Sequence, residues 1–325
     1  MLALVTGGAG HVGTNLVDSL AADGHHVRVV DIRAPGSRLP ANVRWFEADV
    51  RDPAAMGTAM DGVDVAYHLA AVISIVGEQR GLVRSVNVDG CAVVAEAALN
   101  AGVRRLVHCS SVHAFDLQGR IGMVVDESSP RVSGNAPAYD RSKAAGEEQI
   151  RRFVRRGLDA VCINPTGVIV PRDNKPSRMG TVLRALWRNR LPAIIDGGFD
   201  WVDVRDVVLG LRSAETRGRT GESYLIPGHR LSVQALAELA ARASGSPVTT
   251  RIAPNWLVDA AAPLATAIAR RSRVGTALMP TREALHALRC FPAVDGTKAK
   301  RELGHQPRLM AETLTDLYAF FAETT

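Results

Sequence analysis

Tyr139 and Lys143 stand four residues apart in the stretch Tyr139-Asp140-Arg141-Ser142-Lys143. That is one helical turn, so a phenol and an ammonium share one face of a predicted helix. Chemically they form a proton-transfer pair, because a nearby cation favours phenolate and draws a tyrosine down from about 10 toward the working pH. The chain has only four tyrosines and four lysines in 325 residues. Taken alone, the spacing fits a solvated helix face just as well. The N-terminus decides between the two.

Leu2-Ala3-Leu4-Val5-Thr6 reads as a short buried strand and runs directly into Gly7-Gly8-Ala9-Gly10-His11-Val12-Gly13, followed by a helical pattern from Thr14 to Ala22. Glycines at 7, 10 and 13 allow a tight turn and let the backbone touch a pyrophosphate. The helix N-terminus that follows offers free N–H groups and a dipole favouring an anion. Set between a strand and a helix, the triplet reads as a dinucleotide-binding turn. Val27 to Val30 forms a second strand ending at Asp31, eighteen residues beyond Gly13. A carboxylate there accepts hydrogen bonds from ribose hydroxyls and repels a 2′-phosphate, so NAD is expected over NADP. Arg33 and Arg38 pull the other way, since arginines can cradle that phosphate. Asp49 and Val50 close the next strand, 43–47, either to meet the adenine edge or to start the turn before Pro53.

Taken together, these residues resemble the extended short-chain dehydrogenase/reductases, which include dihydroflavonol-reductase-like enzymes, 3β-hydroxysteroid dehydrogenases and nucleotide-sugar epimerases. The resemblance covers essentially the whole chain. It implies cofactor contacts from Gly7, Gly10, His11, Val12 and Gly13, and from the Leu69-Ala70-Ala71 segment that follows Tyr67-His68. Val86-Asn87-Val88-Asp89-Gly90 matches the start of a helix carrying a structural asparagine, which resembles the family's helix-bending residue and supports a relay to Lys143; a helix-cap role fits Asn87 equally. Leu106-Val107-His108-Cys109-Ser110-Ser111 resembles the strand ending in the catalytic serine, and counting back from Phe115 puts that role on Ser111. Asn164-Pro165-Thr166-Gly167 implies a nicotinamide neighbour at Pro165. Gly197 to Asp206 looks like the segment that closes over the substrate, and Asp295 to Gly304 like the start of the C-terminal helical region.

Strands near 2–6, 27–31, 43–47, 64–68, 104–109 and 160–164 alternate with helical segments, the signature of βαβ units. The expected fold is α/β, a Rossmann-type doubly wound parallel sheet over residues 1–165. A smaller mixed substrate-binding lobe is expected over 166–325, with room for the chain to return to the main sheet. Pro165, Pro171, Pro176 and Pro192 mark turns where the pattern loosens. Helices are expected at 233–243, 281–289 and 310–323. Asn255 to Arg271 is rich in Ala and Leu but is expected to be interrupted by Asp259 and Pro263, and to face a substrate pocket or partner rather than a membrane.

Apolar residues make up 46% of the chain, ample for a core. No apolar run of transmembrane length appears, and the chain opens on a cofactor strand rather than a leader. Cys91, Cys109, Cys162 and Cys290 lack metal-ligand spacing, and Cys109 and Cys162 sit in apolar strands, so no metal and a reduced cytoplasmic setting are expected. The net charge of +6 comes with no nucleic-acid recognition motif, and Arg151, Arg152, Arg155 and Arg156 read as a solvated face. A small-molecule substrate and a homodimer are the expected partners. The family pairs the helix after Asn87 with the Tyr139 helix across a two-fold axis, and Ala92, Ala95, Ala97 and Ala98 suit close approach there.

The resemblance implies that Ser111 orients a substrate oxygen, Tyr139 exchanges a proton with it, and Lys143 holds the nicotinamide ribose while lowering the Tyr139 pKa. The expected reaction interconverts a secondary alcohol and a ketone. Nucleotide-sugar relatives carry an arginine just before the acidic–aromatic pair of the second landmark, and here Phe199 precedes Asp200-Trp201. That departure weighs against a sugar-nucleotide epimerase or dehydratase, though Arg172, Arg178 or Arg205 offers a substitute. A cofactor-binding redox sensor is the remaining alternative, and such members typically lose the tyrosine or the lysine. His113, Asp126 and Glu127 lie on the segment expected to set specificity.

Overall fold

The computed structural model describes residues 1–36, 38–117, 123–171, 177–245, 248–271, 277–290 and 292–324. Arg172 and Pro176 lie outside the described residues. Seven strands, β1 Leu2–Thr6, β2 His26–Asp31, β3 Val43–Glu47, β4 Val65–His68, β5 Arg105–Cys109, β6 Ala160–Pro165 and β7 Ser223–Ile226, form one sheet. Their order is β3-β2-β1-β4-β5-β6-β7, and every neighbouring pair is parallel. A parallel sheet is covered on both faces, which is why its strands read as nearly unbroken apolar runs. Helices His11–Ala22 and Val204–Arg217 pack on one face. Helices Pro53–Met60, Gly90–Asn100 and Ala138–Val154 cover the other. The strand order reverses between β1 and β4, and a ligand crevice opens at such a switch point, outside the carboxyl ends of the strands.

The six strands expected from sequence are present, with shifts of one residue at their ends. The seventh was missed because Ser223-Tyr-Leu-Ile226 is only four residues long, and its period cannot distinguish a strand from a turn of buried helix. Its pairing with β6, Ile226 opposite Pro165, makes it a strand. A boundary at residue 165 therefore describes chain order more than space, since both β7 and the helix Val204–Arg217 belong to the main sheet.

A second sheet sits over the carboxyl ends. Gly198–Asp203 is its centre, parallel to Gly167–Ile169 and antiparallel to His229–Ser232. Helices Arg178–Trp187, Val233–Ser244 and Met310–Glu323 share a second apolar core with it. Arg282–Cys290 and Met310–Glu323 lie where helical periodicity placed them. Asn255–Arg271, in contrast, is one helix with Pro263 inside it. Asp259 and Pro263 are both exposed, so the carbonyl that the proline leaves unbonded can meet water instead of ending the helix.

The residues around Asn87, Ser85–Asp89, form a π turn leading into Gly90–Asn100, as a helix-bending asparagine implies, and Asn87 caps nothing. A Cβ on Gly146 would stand 2.5 Å from the Asn87 carbonyl oxygen, so this turn and the Tyr139 helix meet backbone to backbone. Ala95, Ala97 and Ala98 are buried within the chain, which absorbs most of the small-residue surface expected to serve a dimer. Gly146→Ala should destabilise the fold by about 1–3 kcal/mol through overpacking. A lowered urea midpoint is the readout, and an unchanged one would contradict this packing.

Candidate active site

The glycine loop is shaped by contacts that side chains would prevent. Gly7 has φ +67, and a Cβ there would lie 2.7 Å from the Ala70 nitrogen. A Cβ on Gly13 would lie 2.2 Å from the Gly7 carbonyl oxygen, so the helix can start this close to the strand only with glycine. Gly10 is the N-cap and supplies no side-chain cap, and no acidic residue occupies the first turn. The amides at His11, Val12 and Gly13 thus head a helix that is electrostatically prepared for an anion. Asp31 ends β2 beside the loop, one carboxylate oxygen accepting from Ala9 N at 3.1 Å and the other from Arg33 N at 3.0 Å. Leu69 and Ala70 donate their amides to Thr6 Oγ1, which fixes the Leu69-Ala70-Ala71 segment against the loop. This cradle fits a dinucleotide: anion-binding amides, no Cβ in the way, and a carboxylate at the end of the second strand. Asp49 takes the second of its two expected roles and opens the turn before Pro53, accepting from Arg51 N at 2.9 Å. Its carboxylate is taken by Arg51, at 2.5 and 2.9 Å, while Val50 is buried against Gly90.

Tyr139 and Lys143 lie on the helix Ala138–Val154, and Ser111 follows the end of β5. The Ser111 hydroxyl lies close enough to the Tyr139 phenol to favour its ionised form. Lys143 is buried, and its Nζ donates to the Cys109 carbonyl at 3.1 Å. The serine, tyrosine and lysine therefore converge at the carboxyl end of β5. Ser110, by contrast, has a buried hydroxyl with no partner of its own. Lys143 pulls the Tyr139 pKa down, as expected, but in the protein without cofactor it does not set the net direction. Burial raises it above 10, and the attraction of Lys143 and the nearby Ser111 hydroxyl offset only part of that. Tyr139 is thus a neutral phenol through the neutral pH range.

Buried polar groups hold this triad. Asn164, on β6, donates through Nδ2 to the Ser111 carbonyl at 2.9 Å and to Glu147 Oε1 at 2.5 Å. Glu147 is fully buried one turn beyond Lys143, with Arg131 at 2.9 Å and Arg151 at 2.7 Å from its other oxygen. Asn87 Oδ1 accepts from Val72 N, and its Nδ2 donates to the Val72 carbonyl and to Ser142 Oγ. Asn87 therefore ties the segment after β4 to the Tyr139 helix; its described contacts are structural and include neither Lys143 nor a cap.

Beneath the triad, His68 Nδ1 lies 2.7 Å from Thr6 Oγ1 and its Nε2 lies 3.3 Å from Cys91 Sγ, which donates to the Asn87 carbonyl. His108 stacks on His68. Burial holds both imidazoles neutral, pushing His68 down to about 3, and pushes the Cys91 thiol up to about 12. The ligand atoms of His68, Cys91 and His108 lie within 4.8 Å of one another. Two of the three are already engaged in hydrogen bonds, and the Lys143 ammonium nearby opposes a further cation.

The second sheet supplies a wall. Phe199 stacks on His113 at 5.6 Å, and His113 meets Tyr139 edge-on at 5.7 Å, with its Nδ1 3.1 Å from the Asp140 carboxylate. Asp200 accepts from Thr166 Oγ1 and Gly228 N, which locks the sheet in place. Arg205 is held by Asp203 and Asp316 at 2.7 and 2.6 Å and is committed to that network. Pro165 ends β6 opposite Ile226 and leads into the second sheet. Glu127 accepts from Leu225 N and Asp126 closes a turn with Ser128, so both shape the segment rather than face the triad.

A model of the NAD dependent epimerase/dehydratase family matches residues 3–226. The chain belongs to this family. Sterol demethylase protein B of Methylococcus capsulatus is 31% identical over 331 aligned positions, covering 99% of both proteins. UDP-glucose 4-epimerase of Mycolicibacterium smegmatis is 31% identical over 340 positions, covering 99% of this chain and 98% of its own. The crystal structure of DesIV, a dTDP-glucose 4,6-dehydratase from Streptomyces venezuelae with NAD bound, matches 99% of this chain and 97% of its own at a TM-score of 0.77 and 25% identity.

In this epimerase/dehydratase-family site, sequence reasoning missed Glu147, Arg131 and the supporting role of Asn164. An uninterrupted glutamate one turn past Lys143 was a signal, but only the fold shows that it is buried. Two outcomes test the arrangement. Glu147→Leu takes one acceptor each from Arg131, Arg151 and Asn164 and should cost about 3 kcal/mol in urea denaturation, because breaking a buried pair leaves its partners incompletely paired. In an alkaline ultraviolet titration of the cofactor-free protein, the component lost in Tyr139→Phe should ionise above pH 10, and a component ionising below 9 would overturn the neutral-phenol assignment.

Proposed function

We propose that this protein is an NAD(H)-dependent oxidoreductase interconverting a secondary alcohol and a ketone on a largely apolar substrate. The observation that carries the substrate class is the Phe199–His113 stack against Tyr139, which puts aromatic surface where a diphosphate-binding arginine would serve a sugar nucleotide. Similarity along the whole length to a sterol demethylase protein supports the same reading. Asp31 favours NAD, since a 2′-phosphate would meet a carboxylate that the Ala9 and Arg33 amides hold in place.

The bound nicotinamide supplies or accepts the hydride. The rest falls to residues of this chain. The Ser111 hydroxyl orients the substrate oxygen, and Tyr139, neutral at the working pH, donates its proton to that oxygen as a ketone is reduced. Lys143, anchored on the Cys109 carbonyl, stabilises the phenolate that remains. Phe199 and His113 exclude water from the reacting carbon on one side.

A panel of sterol, aryl and sugar-nucleotide ketones and alcohols, followed by nicotinamide absorbance, tests the assignment. Net NADH oxidation with an apolar ketone is the expected result. Tyr139→Phe should then lower kcat by about 10²–10⁴ with nearly unchanged NADH affinity. Interconversion of sugar nucleotides without a net absorbance change would instead establish an epimerase, the activity named for the Mycolicibacterium relative.

A further inference from the structure

The helix Asn255–Arg271 is built inside out. The face it packs against the protein is small, consisting of Val258, Ala262, Thr266 and Ala269. Its outward face carries the bulky apolar side chains: Trp256 is 72% exposed, Leu264 66%, Leu257 50% and Ile268 45%. At 3.6 residues per turn these four fall within an arc of roughly 160° that also holds Ala260, Ala261, Pro263 and Ala267. The one charge in that arc is Arg271, at the last position. An ordinary surface helix turns its large apolar residues inward. A contiguous exposed apolar face of this kind marks an interaction surface.

Charge selects the occupant. Among the described residues around the helix, Arg251, Arg270, Arg271, Arg282 and Arg289 are exposed, against the exposed carboxylates of Asp259, which pairs with Arg289 at 2.7 Å, and Asp196, which accepts from Asn255 at the start of the helix. Glu283 is half-buried beside Gly77 and within electrostatic reach of Arg270, so it offsets part of that arginine's charge and leaves the excess of exposed arginines in place. An aromatic residue at one end, aliphatic residues along the middle and arginines at the other end match the boundary between acyl chains and anionic headgroups. No helix among the described residues is long and apolar enough to cross a membrane. This one can lie on its surface.

We propose that Asn255–Arg271 docks the protein on an anionic phospholipid surface, with Trp256, Leu257, Leu264 and Ile268 in the acyl boundary and Arg270 and Arg271 among the headgroups. The sequence alone argued against a membrane role because Asp259 and Pro263 were expected to interrupt the segment. In the folded chain Asp259 sits at the edge of the apolar arc, paired with Arg289, and Pro263 lies within the arc as one more apolar group. Arg270, beside this arc, reaches the Gly77 backbone in the segment that follows Val72, so the helix end is tied to the chain leaving β4. The docking itself is read without turnover and stands whatever the reaction proves to be.

Flotation of the full-length protein with vesicles distinguishes the occupants. One set contains phosphatidylcholine alone and the other an equal mixture with phosphatidylglycerol. Binding should be roughly tenfold or more tighter to the mixed vesicles. It should fall by at least that factor in Trp256→Ser/Leu264→Ser and, separately, in Arg270→Glu/Arg271→Glu. Because all four side chains are exposed, both variants should keep the parent thermal midpoint. Three results would overturn the proposal: absence of binding to the mixed vesicles, binding that both variants retain, or a lipid-independent dimer in light scattering that Trp256→Ser/Leu264→Ser dissolves. The last would assign the face to a second copy of the chain.

Discussion

The Glu147 carboxylate is the constraint around which the catalytic end of this protein is arranged. Fully buried, it must be satisfied from all sides, and its partners come from three separate stretches of chain: Asn164 on β6, Arg131 before the Tyr139 helix, and Arg151 one turn further along that helix. Through Asn164 the same network reaches the carbonyl of Ser111. A charge in this position cannot tolerate slack, because each lost partner strands a desolvated ion. The distance between the serine loop and the tyrosine helix is therefore set by an electrostatic requirement, and van der Waals packing, including the Gly146 approach to Asn87, fills in around it. Rigid support of this kind keeps reacting groups within the small tolerance that proton transfer requires.

Two opposing effects act on Tyr139. The Lys143 ammonium and the Ser111 hydroxyl favour phenolate, while desolvation favours phenol, and in the protein alone desolvation wins. The second sheet delivers Phe199, which stacks on His113, and His113 in turn meets Tyr139 edge-on. The proposed preference for an apolar substrate rests on that aromatic wall.

Much of this was legible from the chain. Alternating apolar runs and helical periods placed six of the seven sheet strands, because strands covered on both faces must be apolar almost throughout. The glycines at 7, 10 and 13 declared their role by type and position, and the coordinates show the steric reason: a Cβ at Gly7 or Gly13 would collide with backbone. Tyr139, Lys143 and Ser111 were found because their chemistry is local in sequence or tied to a strand end. Asp49 was open to two readings from its place after a strand, an adenine contact or a turn, and the fold shows the turn, with its carboxylate paired to Arg51 two residues away. The short strand Ser223–Ile226 was invisible, since four residues are too few to carry a period.

The sequence by itself determined the elements, the dinucleotide turn and the residues proposed to transfer the proton, because each rests on residue type and on spacing within one turn or one strand. The tertiary structure decided whether those groups are charged, what surrounds them and which faces remain uncovered. Burial, and with it the neutral state of Tyr139, depends on which distant segment lies overhead. That Glu147 anchors the site, that Phe199 walls it and that Trp256 points outward each depend on contacts between residues far apart in the chain. No local pattern encodes the dielectric that a folded neighbour creates.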